Sequence, residues 1–98
     1  MLFDLHPDQL ALVRDILAQQ VPHYTAWAFG SRVKGTAQKF SDLDIGLEGL
    51  QALGFEQKAN LKLAFSASNL PFTVDVVDLK SCSPGFAQTI ALKRERLR

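Results

Sequence analysis

Two aspartates separated by one residue, Asp42 and Asp44, give the strongest chemical signal in the sequence. The segment around them, DLDIGLE, alternates polar and apolar residues, which predicts a strand with both carboxylates on one face. Without a counter-charge the two carboxylates would repel each other. A divalent cation removes that cost, and Mg²⁺ favours oxygen ligands that it completes with waters and substrate phosphates. The pair is therefore a candidate metal site; the alternative is an exposed strand with solvated aspartates.

A third aspartate, Asp75, lies inside the later apolar segment FTVDVVDL. Aspartate is uncommon in strand interiors, and burying its charge without a partner would cost on the order of several kcal/mol. Alternation puts Val74, Val76 and Asp78 on one face of this strand and Asp75 on the other. If the valines pack against helices, Asp75 joins the first two carboxylates on an open face. Asp78, near the strand end, is then expected to reach solvent or to cap the next segment.

Gly30 and Ser31 follow the aromatic-rich apolar segment YTAWAF, which is predicted to be a buried strand. Glycine permits close backbone approach, and the N–H groups that follow it can surround phosphate oxygens. A helical turn after Gly30 would add the positive end of a helix dipole at the same point. A simple turn remains the alternative. Arg32 and Lys34 either neutralise phosphate charge or are exposed helix residues.

Hydrophobic periodicity and breakers define the elements around these residues. The expected helices cover residues 7–20 and 55–67, with a last helix capped by Ser83, and the expected strands cover 24–29, 42–48 and 72–79. In the middle helix, Phe55, Ala59 and Leu63 are predicted to face the core. In the last helix, Phe86 and Ile90 are predicted to do so. The order predicts an α/β (α+β) fold in which helices pack on one face of a three- to four-stranded mixed sheet.

The 98 residues suffice for a single small domain, 1–98. The formal net charge of +1 gives no general signal for nucleic-acid binding. The basic cluster at the end of the chain is interpreted as a solvated helix end; its members are Lys93, Arg94, Arg96 and Arg98. Cys82 is the only cysteine, so neither an internal disulfide nor a zinc pair is expected. No signal peptide or membrane-spanning run is recognised, and a cytoplasmic location is expected.

Taken together, GSRVKG, SDLDIGL and the later strand carrying Asp75 resemble the nucleotidyltransferase superfamily related to DNA polymerase β. Within it, the segment looks like the minimal nucleotidyltransferase group, which is found in bacteria and archaea beside HEPN-domain partners. The resemblance spans nearly the whole chain. Its specific positions are Gly30, Ser31, Asp42, Asp44 and Asp75.

The resemblance implies a role for each of these positions. Gly30 and Ser31 would hold the β- and γ-phosphates of ATP, and Arg32 and Ser41 would complete the nucleotide-binding set. The first two aspartates, Asp42 and Asp44, would bind two Mg²⁺ ions. The third, Asp75, would bind the catalytic ion and help to activate the attacking hydroxyl.

The resemblance also implies a partner. The chain would transfer AMP to a hydroxyl of a HEPN-domain toxin and act as its antitoxin. Alternatively, a domain with a vestigial metal site would neutralise that partner by binding alone. Transfer to RNA or to a small molecule such as an aminoglycoside is a third possibility, disfavoured by the small size and near-neutral charge. The added domains of larger family members are not expected here, and the sequence does not identify a base-recognition pocket.

Overall fold

The computed structural model describes residues 5–30 and 42–98, and in these ranges it contains three helices and four strands. In chain order they are α1 (Pro7–Gln20), β1 (Thr25–Phe29), β2 (Leu43–Glu48), α2 (Phe55–Ser66), β3 (Val74–Asp78), α3 (Pro84–Leu92) and β4 (Glu95–Arg96). The strands form one sheet in the order β3-β2-β1-β4. Because β2 and β3 are parallel while β1 is antiparallel to both β2 and β4, the sheet is mixed. The predicted fold class is confirmed.

The register of the sheet aligns the ends of three strands. Phe29 of β1 pairs with Asp44 of β2, and Asp44 pairs with Asp75 of β3. Side chains of paired residues project from the same face of a sheet, so these three lie in one row. The opposite face carries the residues of the other parity, such as Ala28 and Ile45, which are fully buried.

The hydrophobic core lies between that second face and the helices α1 and α2. Strand residues Leu43, Ile45, Leu47, Val74 and Val76 are buried there together with Val13, Ile16 and Leu17 of α1. These positions are the apolar halves of the alternating and helical patterns in the sequence. Pro7 occupies the first turn of α1, and the helix stops before Val21 and Pro22 as expected.

The predicted core face of α2 is wrong. Phe55 is 92% exposed and Leu63 is 66% exposed, whereas Leu61 is fully buried and Phe65 is 5% exposed. The sequence of this helix contains two apolar stripes, and its periodicity alone does not say which one meets the sheet. Contacts of α2 with α1 and β3 select Leu61 and Phe65, and they leave the other stripe on the surface.

The last helix begins as predicted, because the Ser83 hydroxyl accepts a hydrogen bond of 3.2 Å from the Phe86 N–H. Ile90 is buried, although outside the main core cluster, whereas Phe86 is 43% exposed, so the expectation that both face the core is wrong for Phe86. The Phe86 ring packs edge-to-face on Phe29, with ring centres 6.1 Å apart. Phe29 has the parity of Asp44, so α3 contacts the carboxylate-bearing face, which was expected to have no bulky cover.

The interpretation of the basic C-terminal cluster as a helix end is wrong. The helix ends at Leu92, and the chain returns to the sheet as β4, where Arg96 pairs with Trp27. Leu97 is 2% exposed, and the burial of its apolar side chain favours packing of this segment on the sheet. The Arg94 guanidinium lies 3.8 Å from the centre of the Trp27 ring, in a cation–π contact. Across the described ranges, no helix has the length and apolarity to cross a membrane.

Asp78 caps the turn after β3 instead of reaching solvent. It is 8% exposed and accepts hydrogen bonds from the Leu53 N–H at 2.8 Å, the Lys80 N–H at 3.1 Å and the Ser81 hydroxyl at 2.7 Å. Burial acts to raise the pKa of this carboxyl. The hydrogen bonds from Ser81, Leu53 and Lys80, with the Lys58 charge, outweigh burial and hold the pKa below its usual range.

Two leucines of α2 test which face of this helix packs in the core. Leu61→Ala should lower the free energy of unfolding by about 2–5 kcal/mol, because it leaves a cavity in the core. Leu63→Ala on the same helix is the matched control, and it should change stability by less than about 0.5 kcal/mol. Chemical denaturation of the two variants gives both values. Equal losses would contradict the observed orientation of α2.

Asp78→Asn should lower the free energy of unfolding at neutral pH by about 1–3 kcal/mol, because the amide cannot accept all three hydrogen bonds. The Asp78 pKa is lower in the folded than in the unfolded chain, so its contribution is present above the usual value of 3.8 and disappears as pH falls through the lowered pKa. The difference between wild type and variant should therefore shrink in acid. Urea denaturation at pH 7 and at pH 3 measures it, and a difference independent of pH would contradict this account.

Candidate active site

Asp44 and Asp75 form the centre of the candidate site, and we call them the carboxylate pair. They occupy one register position on adjacent parallel strands, which puts both side chains on the same face. Asp44 is half-buried and Asp75 is exposed. The sequence prediction that Asp75 shares a face with Asp44, while Val74 and Val76 enter the core, agrees with this geometry.

Asp42 is exposed and immediately precedes β2. The pKa of Asp44 is raised from its usual value of 3.8, first by burial and then by the negative charges of Asp75 and Asp42. Asp42 and Asp75 are therefore both close enough to act electrostatically on Asp44. A cation bound beside Asp44 would relieve the repulsion from its two neighbours.

Gly30 brings the end of β1 against the carboxylate pair. Its φ of +81° lies in the left-handed region that favours glycine. A methyl group built at this position would overlap the Asp44 carboxylate. Glycine is thus required both by the backbone conformation and by the close approach of Asp44. The absence of a side chain leaves the backbone next to the carboxylates accessible.

The other predicted nucleotide-binding residues lie outside the residues that the structure describes. They are Ser31, Arg32 and Ser41, and the same holds for Lys34. Their assignment to phosphate binding remains a prediction from the sequence. Within the described ranges, the candidate site is therefore built from Gly30 and the three aspartates.

The donor set fits a cation that arrives with its substrate better than one held by protein alone. Among residues 5–30 and 42–98, no group of three or more His, Cys, Asp or Glu side chains is arranged to hold a metal ion. Mg²⁺ commonly takes only one or two protein carboxylates and completes its shell with waters and substrate phosphates. Two adjacent carboxylates beside Gly30, where a Cβ has no room, fit this mode.

Two aromatic side chains lie on the β1 side of the carboxylate pair. Phe29 pairs directly with Asp44, and Phe86 of α3 packs against Phe29. Further along the same face, Leu79 lies over Gly46. These aromatic neighbours of the carboxylate pair were not predicted, because Phe86 was assigned to the core. Strand alternation could have placed Phe29 there, since it faces the opposite way from the buried Ala28.

Comparisons with known proteins show which family the chain resembles. The sequence profile of the family described as "Polymerase beta, Nucleotidyltransferase" matches residues 12–97. The chain is also 48% identical, over 87 residues, to a protein of Haemophilus influenzae named "Probable protein adenylyltransferase MntA". This match covers 89% of the chain and 76% of the relative.

Solved structures of toxin–antitoxin complexes are also similar to this chain. A toxin–antitoxin crystal structure with AMP-PNP matches with a TM-score of 0.78 and 28% identity, covering 91% of this chain and 72% of that one. A second similar structure contains a tri-AMPylated Shewanella oneidensis HEPN toxin in complex with an MNT antitoxin. It matches with a TM-score of 0.66 and 25% identity, covering 91% of this chain and 71% of that one.

Replacing one member of the carboxylate pair should change the titration of the other. Asp75→Asn removes a negative charge that raises the Asp44 pKa, so that pKa should fall towards 3.8 while the contribution of burial remains. Carbon-detected NMR titration of the Asp44 carboxyl measures the change. Asp15→Asn, an exposed position on α1, is the control and should leave Asp44 unaffected. An unchanged Asp44 pKa in Asp75→Asn would show that the two side chains do not face each other.

Proposed function

Because the chain belongs to the polymerase beta nucleotidyltransferase family, we propose that this nucleotidyltransferase moves AMP from ATP to a hydroxyl of a partner protein. The observation that carries the proposal is the carboxylate pair beside Gly30, whose backbone comes directly against the Asp44 carboxylate. The relative from Haemophilus influenzae carries the name of a protein adenylyltransferase, which supports AMP as the group transferred.

In the proposed complex, Gly30 and Ser31 hold the β- and γ-phosphates of ATP, assisted by Arg32 and Ser41. The left-handed turn at Gly30 supports this role, because it brings backbone rather than a side chain against Asp44. A similar solved structure is a toxin–antitoxin complex with AMP-PNP, which supports an adenine nucleotide as the ligand of this fold.

Asp42, Asp44 and Asp75 would hold the Mg²⁺ ions that accompany the nucleotide, two in number. Bound Mg²⁺ supplies positive charge that stabilises the entering and leaving oxygens of an in-line displacement. The chain contributes a set of carboxylates that repel one another without a cation, as the raised pKa of Asp44 indicates. Asp44 is half-buried and lies near both of the other carboxylates, so it would hold the ions together with Asp42 and Asp75.

The transfer itself replaces one phosphorus–oxygen bond by another. The acceptor oxygen forms a bond to the α-phosphorus of ATP, and the bond from that phosphorus to the oxygen bridging to the β-phosphate breaks. Pyrophosphate leaves with the electron pair of the broken bond. The hydroxyl proton passes to the Asp75 carboxylate, which is exposed and can release it to solvent. The products are an AMP ester of the acceptor and pyrophosphate.

We further propose that the acceptor is a HEPN-domain toxin and that the chain serves as its antitoxin. Similar solved structures are toxin–antitoxin complexes, and one of them contains a tri-AMPylated HEPN toxin beside an MNT antitoxin. The exposed position of Asp75 supports a macromolecular acceptor, since a hydroxyl on another protein can approach it from solvent.

Transfer can be tested with ATP labelled at the α-phosphate, Mg²⁺ and the HEPN-domain protein that copurifies with the chain from its host. Label should appear on that protein. Asp44→Asn and Asp75→Asn should each slow the labelling of that protein roughly 100-fold or more. Each substitution removes a negative charge that positions the metal–nucleotide complex. Asp15→Asn on the exposed side of α1 should label at the wild-type rate.

A binding assay for the partner accompanies this experiment, so that loss of label is not confused with loss of the complex. Neutralisation of the toxin by Asp44→Asn at wild-type strength, with no label on the toxin in any sample, would reject the transferase proposal. It would instead support an antitoxin that acts by contact.

A further inference from the structure

The sheet ends, in the described part of the chain, at a strand that carries a member of the carboxylate pair. β3 is at one edge of the sheet, and β2 is its only neighbour among the described strands. Asp75 therefore stands in the last strand of the row that begins at Phe29. Among the described residues, the backbone edge of β3 lies beyond it, with no further strand.

The hydrogen-bond parity of β3 determines which backbone groups this edge presents. The Leu43 N–H donates to the Thr73 carbonyl, and the Leu79 N–H donates to the Leu47 carbonyl. In a parallel ladder this means that residues 73, 75, 77 and 79 bond to β2. The N–H and C=O groups of Val74 and Val76 consequently point outward. These are the groups that an additional strand would use.

The two edges of the sheet differ in how they are protected against pairing. β4 is two residues long and lies within a basic segment, features that discourage edge-to-edge association. β3 is five residues long and contains neither lysine nor arginine; of its two aspartates Asp78 is buried, so Asp75 is the one exposed charge on this strand. The edge next to the carboxylate pair is thus the one that remains suited to accept a strand.

A cleft of about 630 Å³ follows this edge at the start of β3. Val74 from the core face and Asp75 from the carboxylate face both line it, together with Lys62 and Phe65 of α2 and with Leu70. Since residues from both faces of β3 line the cleft, it lies at the backbone edge of this strand. It offers space for the side chains of an incoming segment, which alternate between the two faces.

We propose that the acceptor protein presents its hydroxyl on an extended segment that pairs with the outward edge of β3. Neighbouring strands lie about 4.8 Å apart, so a residue opposite Asp75 projects its side chain beside that carboxylate. A serine, threonine or tyrosine there places its hydroxyl next to the carboxylate pair, and the adjacent residues of the segment enter the cleft. This inference rests on the proposed function and names how that acceptor is held.

Amide hydrogen exchange tests the docking step without altering the chain. The full chain is measured alone and in complex with its copurified HEPN-domain partner, without nucleotide. Exchange at the Val74 and Val76 amides should slow at least about tenfold on complex formation, since these N–H groups gain acceptors. The Asp75 and Val77 amides already bond to β2 and should change much less. Unchanged exchange at Val74 and Val76 would overturn the proposal.

A proline variant tests whether docking serves transfer. Proline is tolerated at the first residue of a strand and where the N–H points away from the sheet, and Val74 meets both conditions. Val74→Pro removes the backbone N–H that points outward from β3. Val74→Ala is the matched control, because it also makes the side chain smaller but keeps this N–H. Relative to Val74→Ala, labelling of the partner by Val74→Pro should fall about tenfold, with ATP affinity equal in the two variants.

The outcomes separate this inference from the proposed function. Label transferred equally well by Val74→Pro and Val74→Ala would reject edge docking and leave the transferase intact. Protection of the Val74 and Val76 amides in a wild-type complex that transfers no label would reject the transferase and keep the docking surface. If Val74→Pro fails to fold, the exchange measurement decides alone.

Discussion

The repulsion between two carboxylates at one register position is the constraint on which the rest of the molecule depends. Asp44 and Asp75 are held side by side on neighbouring parallel strands, and the raised pKa of Asp44 reflects burial and the two nearby charges. A chain selected for stability alone would have little reason to keep this arrangement. The fold must therefore fix the register firmly, because a shift by one residue would turn Asp75 towards the core.

The second aspartate of β3 shows how the fold meets that requirement. Asp78 has the opposite parity from Asp75 and is buried, yet its pKa is lowered because three donors satisfy it. One of these donors is the Leu53 N–H, which comes from the loop before α2. The carboxylate of Asp78 thereby ties the end of β3 to that loop and helps to hold Asp75 beside Asp44. Two aspartates three residues apart thus lie on opposite faces of the strand and differ in role: Asp78 is buried and Asp75 is exposed.

Much of this arrangement follows from the sequence, since strand alternation assigns a face with little ambiguity. The parity of Asp44 and Asp75, the burial of Val74 and Val76 and the bounds of α1 could all be predicted from local pattern. Two apolar stripes on α2 could not be ranked, because the choice between Leu61 and Leu63 depends on neighbours distant in sequence. The same is true of β4, where Leu97 is buried only because β1 offers an edge.

The position of the carboxylate pair within the sheet connects fold to function. The row starts at Phe29, on which Phe86 of α3 packs, and it ends at Asp75 on the edge strand of the described sheet. For the proposed transfer, this position favours an acceptor that approaches laterally, across β3. In a sheet of four strands the row is short, and the described strands contribute few groups to it that could select an acceptor. Under the proposed docking, selection falls to the surface that the acceptor crosses, which is the edge of β3 beside the cleft.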